Sequence, residues 1–423
     1  MHDLILTARE NRAKEIEKWL HQGNEAVLSI RANMPTSIKN SSEAYVIVRF
    51  FECQVKEKFN VIKHERFESA DGPYTLCSIK HERMAQLKRE LMSLEDNLSI
   101  GRLVDLDLWS IPDQLWSRSA LGEKPRTCYL CAKPAHQCVR SQEHDINDII
   151  NYIKKTVYDH LRSEVYAFAQ KAITQELRLE HKFGLVTPTS MGSHKDMDYT
   201  LMMKSHEIIL PYFVDIFRLG YEKAELYHLL ELARPLGIQT EKNMMQVTGG
   251  INTYKGLIFI LGLVCLSLGY TMNHHQDFNH IFQNIHHLSQ NILSDFEKKP
   301  KTFGEKAYRE HQILGARGEA YLGLPSVHHA LNLMSNATIS DALLRRVLQQ
   351  LIRTTDDTVL LKRAGSFENY MHIKKMVASI QVDNLEEVKN FTAYAIENHL
   401  SFGGAADLLI ATIFLYEIKK RYY

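Results

Sequence analysis

The hydrophobic periodicity of the chain changes near Asp145, and no other feature of the sequence constrains the fold as strongly. From Ile146 onward, apolar residues recur every three to four positions, as on one face of an amphipathic helix. Before that point, short apolar runs alternate with turn signals such as Asp71-Gly72-Pro73. The pattern predicts an N-terminal α/β or α+β domain and a C-terminal all-α helical domain. A length of 423 residues agrees with two or three domains of ordinary size.

The predicted boundary lies within residues 155–162, inside or between helices. This assigns residues 1–155 to the first domain and residues 156–423 to the second. Within the first domain, local patterns predict individual elements. The predicted helices cover 9–22 and 80–94, and the predicted strands cover 26–30, 45–51, 61–62, 74–79 and 103–108.

Charge and cysteine content exclude several classes of protein. The 51 basic and 50 acidic residues leave a formal net charge of +1, which predicts neither nucleic-acid nor membrane-surface binding. The N-terminal segment turns polar by Arg9, so we expect no signal peptide. The apolar run at 257–268 is shorter than the roughly 20 residues that span a bilayer, and we interpret it as a buried helix. Six cysteines in a chain of this length do not form a disulfide framework, and we expect a cytoplasmic location.

Two carboxylates alternate on the predicted strand at 103–108. Asp105 and Asp107 are two residues apart, and side chains at this spacing point to the same face of a strand. Like charges at this distance repel unless a cation lies between them, and paired oxygen ligands suit Mg²⁺ that carries phosphates. The sequence therefore predicts a magnesium site at this pair. The alternative is an exposed strand face.

Three cysteines and a histidine follow in the order C-x2-C-x6-C-x5-H. Thiolate and imidazole ligands at such spacings are consistent with a tetrahedral Zn²⁺ site. The alternatives are reduced cysteines that pack a loop, and a phosphate site formed by Arg126 and Arg140. The candidate zinc ligands are Cys128, Cys131, Cys138 and His144.

A loop rich in glycine, proline and serine covers residues 184–198 and directly precedes a long apolar-periodic segment. Loops of turn-forming residues are usually exposed or line clefts. His194, Asp196 and Asp198 alternate at the end of this loop. Either they converge on one point as metal-binding or proton-handling groups, or the aspartates complement the first turn of the next helix. In the first case the two aspartates are candidate metal ligands.

Four later segments combine small residues with charged ones near predicted helix starts. Glycines, backbone N–H groups and a cation at a helix start form a phosphate cradle, and the recurrence of such segments predicts one shared cleft for a polyanion and a metal. Taken singly, the glycines and acids are also consistent with helix caps and solvated charge pairs. The residues singled out are Gly249, Gly250, Asn252, Thr253 and Lys255; Arg317 and Glu319; Asp357 and Arg363; and Gly403, Gly404 and Asp407.

The first domain carries a further set of motifs in a definite order. They are Asn33-Met34-Pro35 with Lys39, Asp71-Gly72-Pro73, Lys88, GRLVDLDL, Ser117-Arg118 and R-x-C-x2-C…C-x-R-S-x-x-H. Through them residues 9–153 resemble the apo-citrate lyase phosphoribosyl-dephospho-CoA transferase family, in which His-Pro usually stands where this chain has Leu98-Ser99. The resemblance implies a nucleotidyltransferase-like domain. It would transfer a phosphoribosyl-dephospho-CoA unit to a serine of the citrate lyase acyl-carrier subunit and release pyrophosphate. Arg102 and Lys88 would then add positive charge beside the metal held by Asp105 and Asp107.

The second domain carries five ordered motifs. They are G-L-V-x5-G-S-H-x-D-M-D, P-Y-F, T-G-G-I-N-T-x-K-G, G-A-R-G-E-A and G-G-A-A-D-L-L. Through them residues 165–415 resemble the triphosphoribosyl-dephospho-CoA synthase family, although Phe183, Tyr254 and Ala405 replace the family's usual Pro, His and Ser. The resemblance implies that ATP and 3'-dephospho-CoA are joined and adenine is released, with Mg²⁺ on the triphosphate.

The resemblance also implies roles for the charged residues of the second domain. Asp196 or Asp198 would bind Mg²⁺, and Glu319 or Asp407 would act as base or ligand. The cations assigned to phosphates are Lys255, Arg317 and Arg363.

Both families in one chain predict a bifunctional transferase that makes the prosthetic-group precursor and installs it on the citrate lyase acyl-carrier subunit. One alternative is the same chemistry for the malonate decarboxylase carrier. A second is a nucleotide-binding regulatory or scaffold protein with degenerate sites. Detection of adenine release, and of the carrier that accepts the group, distinguishes these three hypotheses.

Overall fold

The computed structural model describes residues 2–22, 26–111, 114–223, 225–297, 303–335 and 337–423. They form two compact units. Unit 1 comprises Met1–Ser163 together with Lys420–Tyr423, and unit 2 comprises Glu164–Lys419. Unit 1 contains a small antiparallel sheet with helices, and unit 2 is mostly helical. This division of secondary structure confirms the predicted change from mixed to helical architecture.

Unit 1 is built on a five-stranded sheet in which every neighbouring pair is antiparallel. The order across the sheet is β2 (Val61–Phe67), β3 (Tyr74–Ile79), β1 (Ala26–Ala32), β4 (Val104–Ser110) and β5 (Gln114–Trp116). The predicted strands at 26–30, 61–62, 74–79 and 103–108 are confirmed, as is the helix at 9–22. The helix predicted at 80–94 begins only at Met84 and continues to Asn97. The elements are α1 (His2–His21), β1 (Ala26–Ala32), α2 (Ser42–Lys58), β2 (Val61–Phe67), β3 (Tyr74–Ile79), α3 (Met84–Asn97), β4 (Val104–Ser110), β5 (Gln114–Trp116) and α4 (Ala135–Ser141).

The prediction of a strand at 45–51 is wrong, because these residues lie within α2. The apolar run is buried on most of its surface, including Val46, Ile47, Phe50 and Phe51. Periodicity does not distinguish a helix that is buried on most sides from a fully buried strand. The helix packs on β1 and β3 and continues past the apolar run to Lys58.

Unit 2 contains helices and, among its described residues, no strand. The long helix α5 (Ile146–Arg178) ends in this unit. The other helices are α6 (Tyr199–Glu222), α7 (Leu229–Val247), α8 (Lys255–Asn273), α9 (His280–Leu288), α10 (Phe303–His311), α11 (Gly315–Tyr321), α12 (Pro325–Met334), α13 (Asp341–Thr354), α14 (Thr358–Ala364), α15 (Phe367–Ser379), α16 (Leu385–Glu397) and α17 (Gly403–Tyr422).

Helix α8 lies in the core of unit 2. Among the described residues it is the one helix whose length and composition would allow it to cross a membrane, yet 78% of its apolar window is buried inside the protein. The interpretation of 257–268 as a buried helix is therefore confirmed. Two glycines let α6 and α8 approach closely. A Cβ on Gly220 would overlap the carbonyl oxygen of Leu266, and a Cβ on Gly269 would overlap that of Phe217.

The substitution Gly269→Ala is expected to lower the free energy of unfolding by about 1–3 kcal/mol, because the new methyl group forces the two helices apart. Urea titration followed by circular dichroism measures this change. Gly304→Ala on α10 is the matched control, since a Cβ there meets no described atom within 4 Å. It is expected to change the free energy of unfolding by less than about 1 kcal/mol. Equal effects of the two substitutions would contradict the close helix contact.

Candidate functional site

A cavity of about 520 Å³ in unit 2 brings together all five segments that the sequence analysis singled out in this part of the chain. The loop at 184–198 forms one side, and the starts of α8, α14 and α17 contribute backbone and side chains. The predicted residues that line the cavity are His194, Asp196, Asn252, Thr253, Lys255, Glu319, Asp357, Arg363, Gly403, Gly404 and Asp407.

The loop at 184–198 is folded back on itself by two glycines. Gly184 has φ 88° and Gly192 has φ 60°, and a Cβ on Gly192 would overlap the carbonyl oxygen of Gly184. The amide of Ser193 donates to the same oxygen at 2.8 Å. His194 then lies with its Nε2 3.1 Å from Ser401 Oγ. Burial and the positive charge of Arg363 lower the pKa of His194, so its ring is neutral at neutral pH.

The two aspartates of the loop have different surroundings. Asp198 is the N-cap of α6, and its Oδ1 accepts a hydrogen bond from the amide of Leu201 at 2.8 Å. This hydrogen bond matches the alternative in which an aspartate of the loop caps the next helix. Asp196 lines the cavity, and 62% of its side chain is exposed. Asp196 is therefore the aspartate of the loop that can reach a ligand in the cavity.

Asp407 lies on α17 against the start of α8. A Cβ on Gly256 would overlap Asp407 Oδ2, so the absence of a side chain at Gly256 leaves space for this carboxylate. Burial raises the pKa of Asp407 well above its usual value, and the nearby charges of Glu176 and Asp357 raise it further. Asp407 is thus a carboxylic acid that keeps its proton at a pH where an exposed aspartate is ionised.

Asp357 holds two helix starts together. Its Oδ1 accepts from the amides of Val359 and Leu360 at 2.8 and 3.0 Å, and its Oδ2 accepts from the amide of Ala405 at 3.2 Å. Burial raises the pKa of Asp357, while these backbone hydrogen bonds oppose the increase. The sequence analysis predicted that Asp357 contacts the substrate. The hydrogen bonds favour a positioning role, in which Asp357 fixes α14 against Gly404 and the start of α17.

A buried ion pair in the cavity wall was missed by the sequence analysis. Lys182 Nζ lies 2.7 Å from Glu176 Oε1 and also donates to the carbonyl oxygen of Glu176 at 2.6 Å. Both side chains are almost fully buried, and burial lowers the pKa of Lys182. The sequence did contain an indication that Glu176 is buried, because it follows Ala172 and Ile173 at helical spacing on the apolar face of α5.

The segment before α8 combines a turn with cavity-lining residues. Gly249 and Gly250 have φ values of 67° and 90° and form the turn itself, outside the cavity lining. Asn252 Oδ1 accepts from the amide of Lys255 at 3.1 Å, and Thr253 lines the cavity.

Lys255 and Glu319 line this cavity, whereas Arg317 lines a second cavity that shares Lys255 with it. Glu319 is buried and accepts from the hydroxyl of Ser326 at 2.6 Å, and burial raises its pKa. Lys255 lines the cavity, and its Nζ lies 2.5 Å from Glu241 Oε1. Arg317 does not line this cavity. It lines a second one of about 420 Å³, whose wall also includes Lys255 and is mainly apolar.

In unit 1, Asp105 and Asp107 extend from the same face of β4, as predicted from their spacing. Arg31 on the neighbouring strand β1 bridges them, with Nη2 3.2 Å from Asp105 Oδ2 and 3.0 Å from Asp107 Oδ2. Arg126 Nη1 lies 3.1 Å from Asp105 Oδ1. A guanidinium therefore lies between the carboxylates, where the sequence analysis predicted a metal ion. Arg31 was not predicted, because the sequence around β1 does not indicate that Arg31 pairs with residues of β4.

Two further cations predicted for unit 1, Lys88 and Arg102, make contacts within the protein. Lys88 is 4% exposed, and its Nζ donates to the carbonyl oxygen of Leu106 at 2.6 Å. Burial lowers its pKa. This placement favours a structural role over the predicted phosphate contact. Arg102 donates to the carbonyl oxygen of Thr127 and lies over the ring of Tyr129.

The predicted zinc ligands are brought together in unit 1. One ligand atom from each of Cys128, Cys131, Cys138 and His144 lies within 4.8 Å of all the others. Cys131 Sγ is 3.5 Å from Cys138 Sγ and 3.3 Å from His144 Nε2. All three cysteines are free thiols. The arrangement is compatible with a tetrahedral metal site.

Comparisons with known proteins relate both units to enzymes. Residues 162–423 match the family described as ATP:dephospho-CoA triphosphoribosyl transferase, and residues 2–160 match apo-citrate lyase phosphoribosyl-dephospho-CoA transferase. The protein CitXG of Leuconostoc mesenteroides subsp. cremoris is 29% identical over 97% of this chain and 96% of its own length. CitXG of Haemophilus influenzae is 28% identical over 97% and 95% of the two chains. The 2-(5''-triphosphoribosyl)-3'-dephosphocoenzyme-A synthase of Haemophilus ducreyi is 31% identical over 67% of this chain and 98% of its own length.

Proposed function

The chain belongs to the ATP:dephospho-CoA triphosphoribosyl transferase family, and we propose that unit 2 joins ATP to 3'-dephospho-CoA with release of adenine. We further propose that unit 1 transfers the phosphoribosyl-dephospho-CoA group to a serine of the citrate lyase acyl-carrier subunit and releases pyrophosphate. The two family matches in this order make the chain a bifunctional transferase of citrate lyase prosthetic-group biosynthesis. The observation that carries the proposal for unit 2 is the convergence of five distant segments on one cavity.

The reaction in unit 2 needs a proton donor and a proton acceptor. The 2'-hydroxyl of dephospho-CoA attacks C1' of the ATP ribose, and the bond from C1' to adenine breaks with its electrons going to the base. Asp407 holds a proton because of its raised pKa and donates it to the departing adenine. The hydroxyl proton passes to a second carboxylate of the cavity. We assign this role to Asp356, which lines the cavity, because Glu319 and Asp357 are already occupied by hydrogen bonds of their own.

The triphosphate requires positive charge. Lys255 and Arg363 line the cavity and are assigned to the phosphates. Asp196 would hold Mg²⁺ together with phosphate oxygens, since proteins commonly bind this ion through one or two carboxylates and a substrate phosphate. When bound, the ion neutralises charge on the triphosphate. The mainly apolar second cavity, with Lys255 and Arg317 in its wall, is assigned to the pantetheine arm of dephospho-CoA.

In unit 1 we assign the pyrophosphate-releasing step to the charged face of β4. The carboxylates of Asp105 and Asp107 orient Arg31, and guanidinium groups bind phosphates in a fixed geometry. A metal ion at this pair would have to compete with Arg31. A carboxylate pair on an inner strand of a sheet backed by helices supports assigning unit 1 to a nucleotidyltransferase-like fold.

The test is incubation of the purified chain with ATP, 3'-dephospho-CoA and Mg²⁺, followed by chromatography for free adenine. Addition of the apo-carrier should then release pyrophosphate, and Asp105→Asn should prevent that second step alone. Absence of adenine would overturn the proposal for unit 2. If the malonate decarboxylase carrier accepts the group and the citrate lyase carrier does not, the acceptor of unit 1 is the malonate decarboxylase carrier.

The two aspartates of the loop at 184–198 are expected to respond differently. Asp196→Asn removes the proposed metal ligand and should lower adenine release by about 100-fold or more, with partial recovery at high Mg²⁺. Asp198→Asn keeps a good N-cap for α6 and should leave the rate within about threefold of the parent. Initial rates over a Mg²⁺ titration distinguish the two. The reverse order of effects would assign the metal to Asp198.

A further inference from the structure

We propose that Cys128, Cys131, Cys138 and His144 bind one structural Zn²⁺, and that this ion fixes the loop that holds Arg126 against Asp105. In a tetrahedral zinc site the ligand sulfurs are roughly 3.8 Å apart, and a sulfur and a nitrogen are roughly 3.6 Å apart. The distances from Cys131 Sγ to Cys138 Sγ and to His144 Nε2 are 3.5 and 3.3 Å. The ligand atoms of Cys131, Cys138 and His144 therefore lie close to this spacing, and all four ligand atoms lie within 4.8 Å of one another.

The donor set selects the metal. Three thiolates and one imidazole suit Zn²⁺, whereas Mg²⁺ and Ca²⁺ prefer oxygen ligands. Four protein ligands complete a tetrahedron and leave no open position for a substrate, which is the pattern of a structural site and not of a catalytic one.

The surrounding segment has almost no core of its own. Between residues 122 and 148, all of which the structure describes, Cys138 is the one buried residue. The backbone nevertheless folds tightly, since the amide of Cys128 donates to Lys133 O at 2.7 Å and that of Ala135 donates to Arg126 O at 2.8 Å. At the end of α4, Gln142 adopts a left-handed conformation and the chain turns back toward His144. Segments with so little apolar burial usually depend on a metal or a disulfide.

The segment 126–144, which carries the four ligands, contacts β4 and the residue that follows β1. Arg126, two residues before the first ligand, donates to Val104 O at 2.8 Å and to Asp105 Oδ1 at 3.1 Å. Tyr129 lies between Cys128 and Cys131, and its hydroxyl donates to Asn33 O at 2.8 Å, directly after β1. Zn²⁺ would therefore hold Arg126 in place as a positioning residue. This role rests on the proposed function of unit 1, whereas the metal site does not.

The first test is metal content of the full chain, purified under reducing conditions without chelators. Mass spectrometry of the metal should give about one Zn²⁺ per chain, and Co²⁺ exchange should give the thiolate charge-transfer bands of a tetrahedral site. Cys131→Ser should lose most of the metal, whereas His144→Cys should retain it as a four-thiolate site. His136→Ala is the matched control, because His136 is exposed on α4 and outside the cluster. No zinc in the parent, or a Cys131–Cys138 disulfide in its place, would overturn the site.

The second test measures both reactions in the same variants. Cys131→Ser should lower carrier-dependent pyrophosphate release about 10–100-fold, with adenine release unchanged as evidence that unit 2 is folded. His144→Cys should retain both. Full pyrophosphate release from zinc-free protein would reject the positioning role. A parent protein that binds zinc but releases no pyrophosphate would reject the function of unit 1 and leave the metal site standing.

Discussion

Replacing Asp407 by asparagine is expected to lower the rate of adenine release by about 10²–10⁴-fold, the usual contribution of a general acid. The amide has nearly the same shape and fits the space beside Gly256, but it has no acidic proton to give to the leaving base. Steady-state rates with saturating ATP and dephospho-CoA measure the effect. Asp383→Asn, an exposed aspartate that pairs with Arg346 outside the cavity, is the control and should not change the rate.

The pH dependence follows from the direction of the Asp407 pKa shift. The protonated form is the donor, so the rate of the parent should fall as pH rises through the raised pKa. Asp407→Asn should lack this decrease. Because burial raises the pKa of Asp407 in the folded state, the unfolded state loses this proton first, and the folded state loses stability as pH rises from the unfolded pKa towards the raised folded pKa. The asparagine variant should therefore be at least as stable as the parent. A rate above about a tenth of the parent's would reject the acid role.

Lys182→Met is expected to lower the free energy of unfolding by about 3–5 kcal/mol, because it leaves the buried carboxylate of Glu176 without its partner. Methionine fills a similar volume, so the loss comes mainly from the unpaired charge. Urea titration of the parent and the variant, followed by circular dichroism, measures the change.

Two further variants identify the cause of this loss. The double substitution Glu176→Gln with Lys182→Met removes both charges and should restore more than half of the lost stability, which a double-mutant cycle quantifies. Arg346→Met breaks an exposed pair with Asp383, and the expected loss is below about 1 kcal/mol. If the double variant is no more stable than Lys182→Met alone, lost packing and not unpaired charge explains the result.

Local sequence patterns correctly predicted the features that depend on short segments of the chain. The spacing of Asp105 and Asp107 predicted a shared strand face, and the glycine-rich segments before α8 and α17 predicted helix starts around one cleft. The error at 45–51 arose because α2 is buried on most sides, which removes the periodicity that identifies a helix.

Partners across the fold were not predictable in the same way. Arg31 meets Asp105 only through the register of β1 against β4, and Asp357 meets Ala405 only after α14 and α17 have packed. The burial of Lys88 beneath Leu106 likewise depends on how α3 packs on the sheet. A single sequence records which charges exist, but it does not record which of them neutralise one another.

Two glycines of unit 2 give the cleft an evolutionary constraint. Gly256 leaves space for Asp407, and a Cβ on Gly404 would lie 3.0 Å from the Asp357 carboxylate. Each glycine and its acid are far apart in the chain but share one small volume. A lineage that kept the acid could not easily replace the glycine, and one that lost the acid would be free to replace it. We therefore expect the glycine and the acid of each pair to be conserved together, and both to be replaced in homologues that are no longer under selection for the activity.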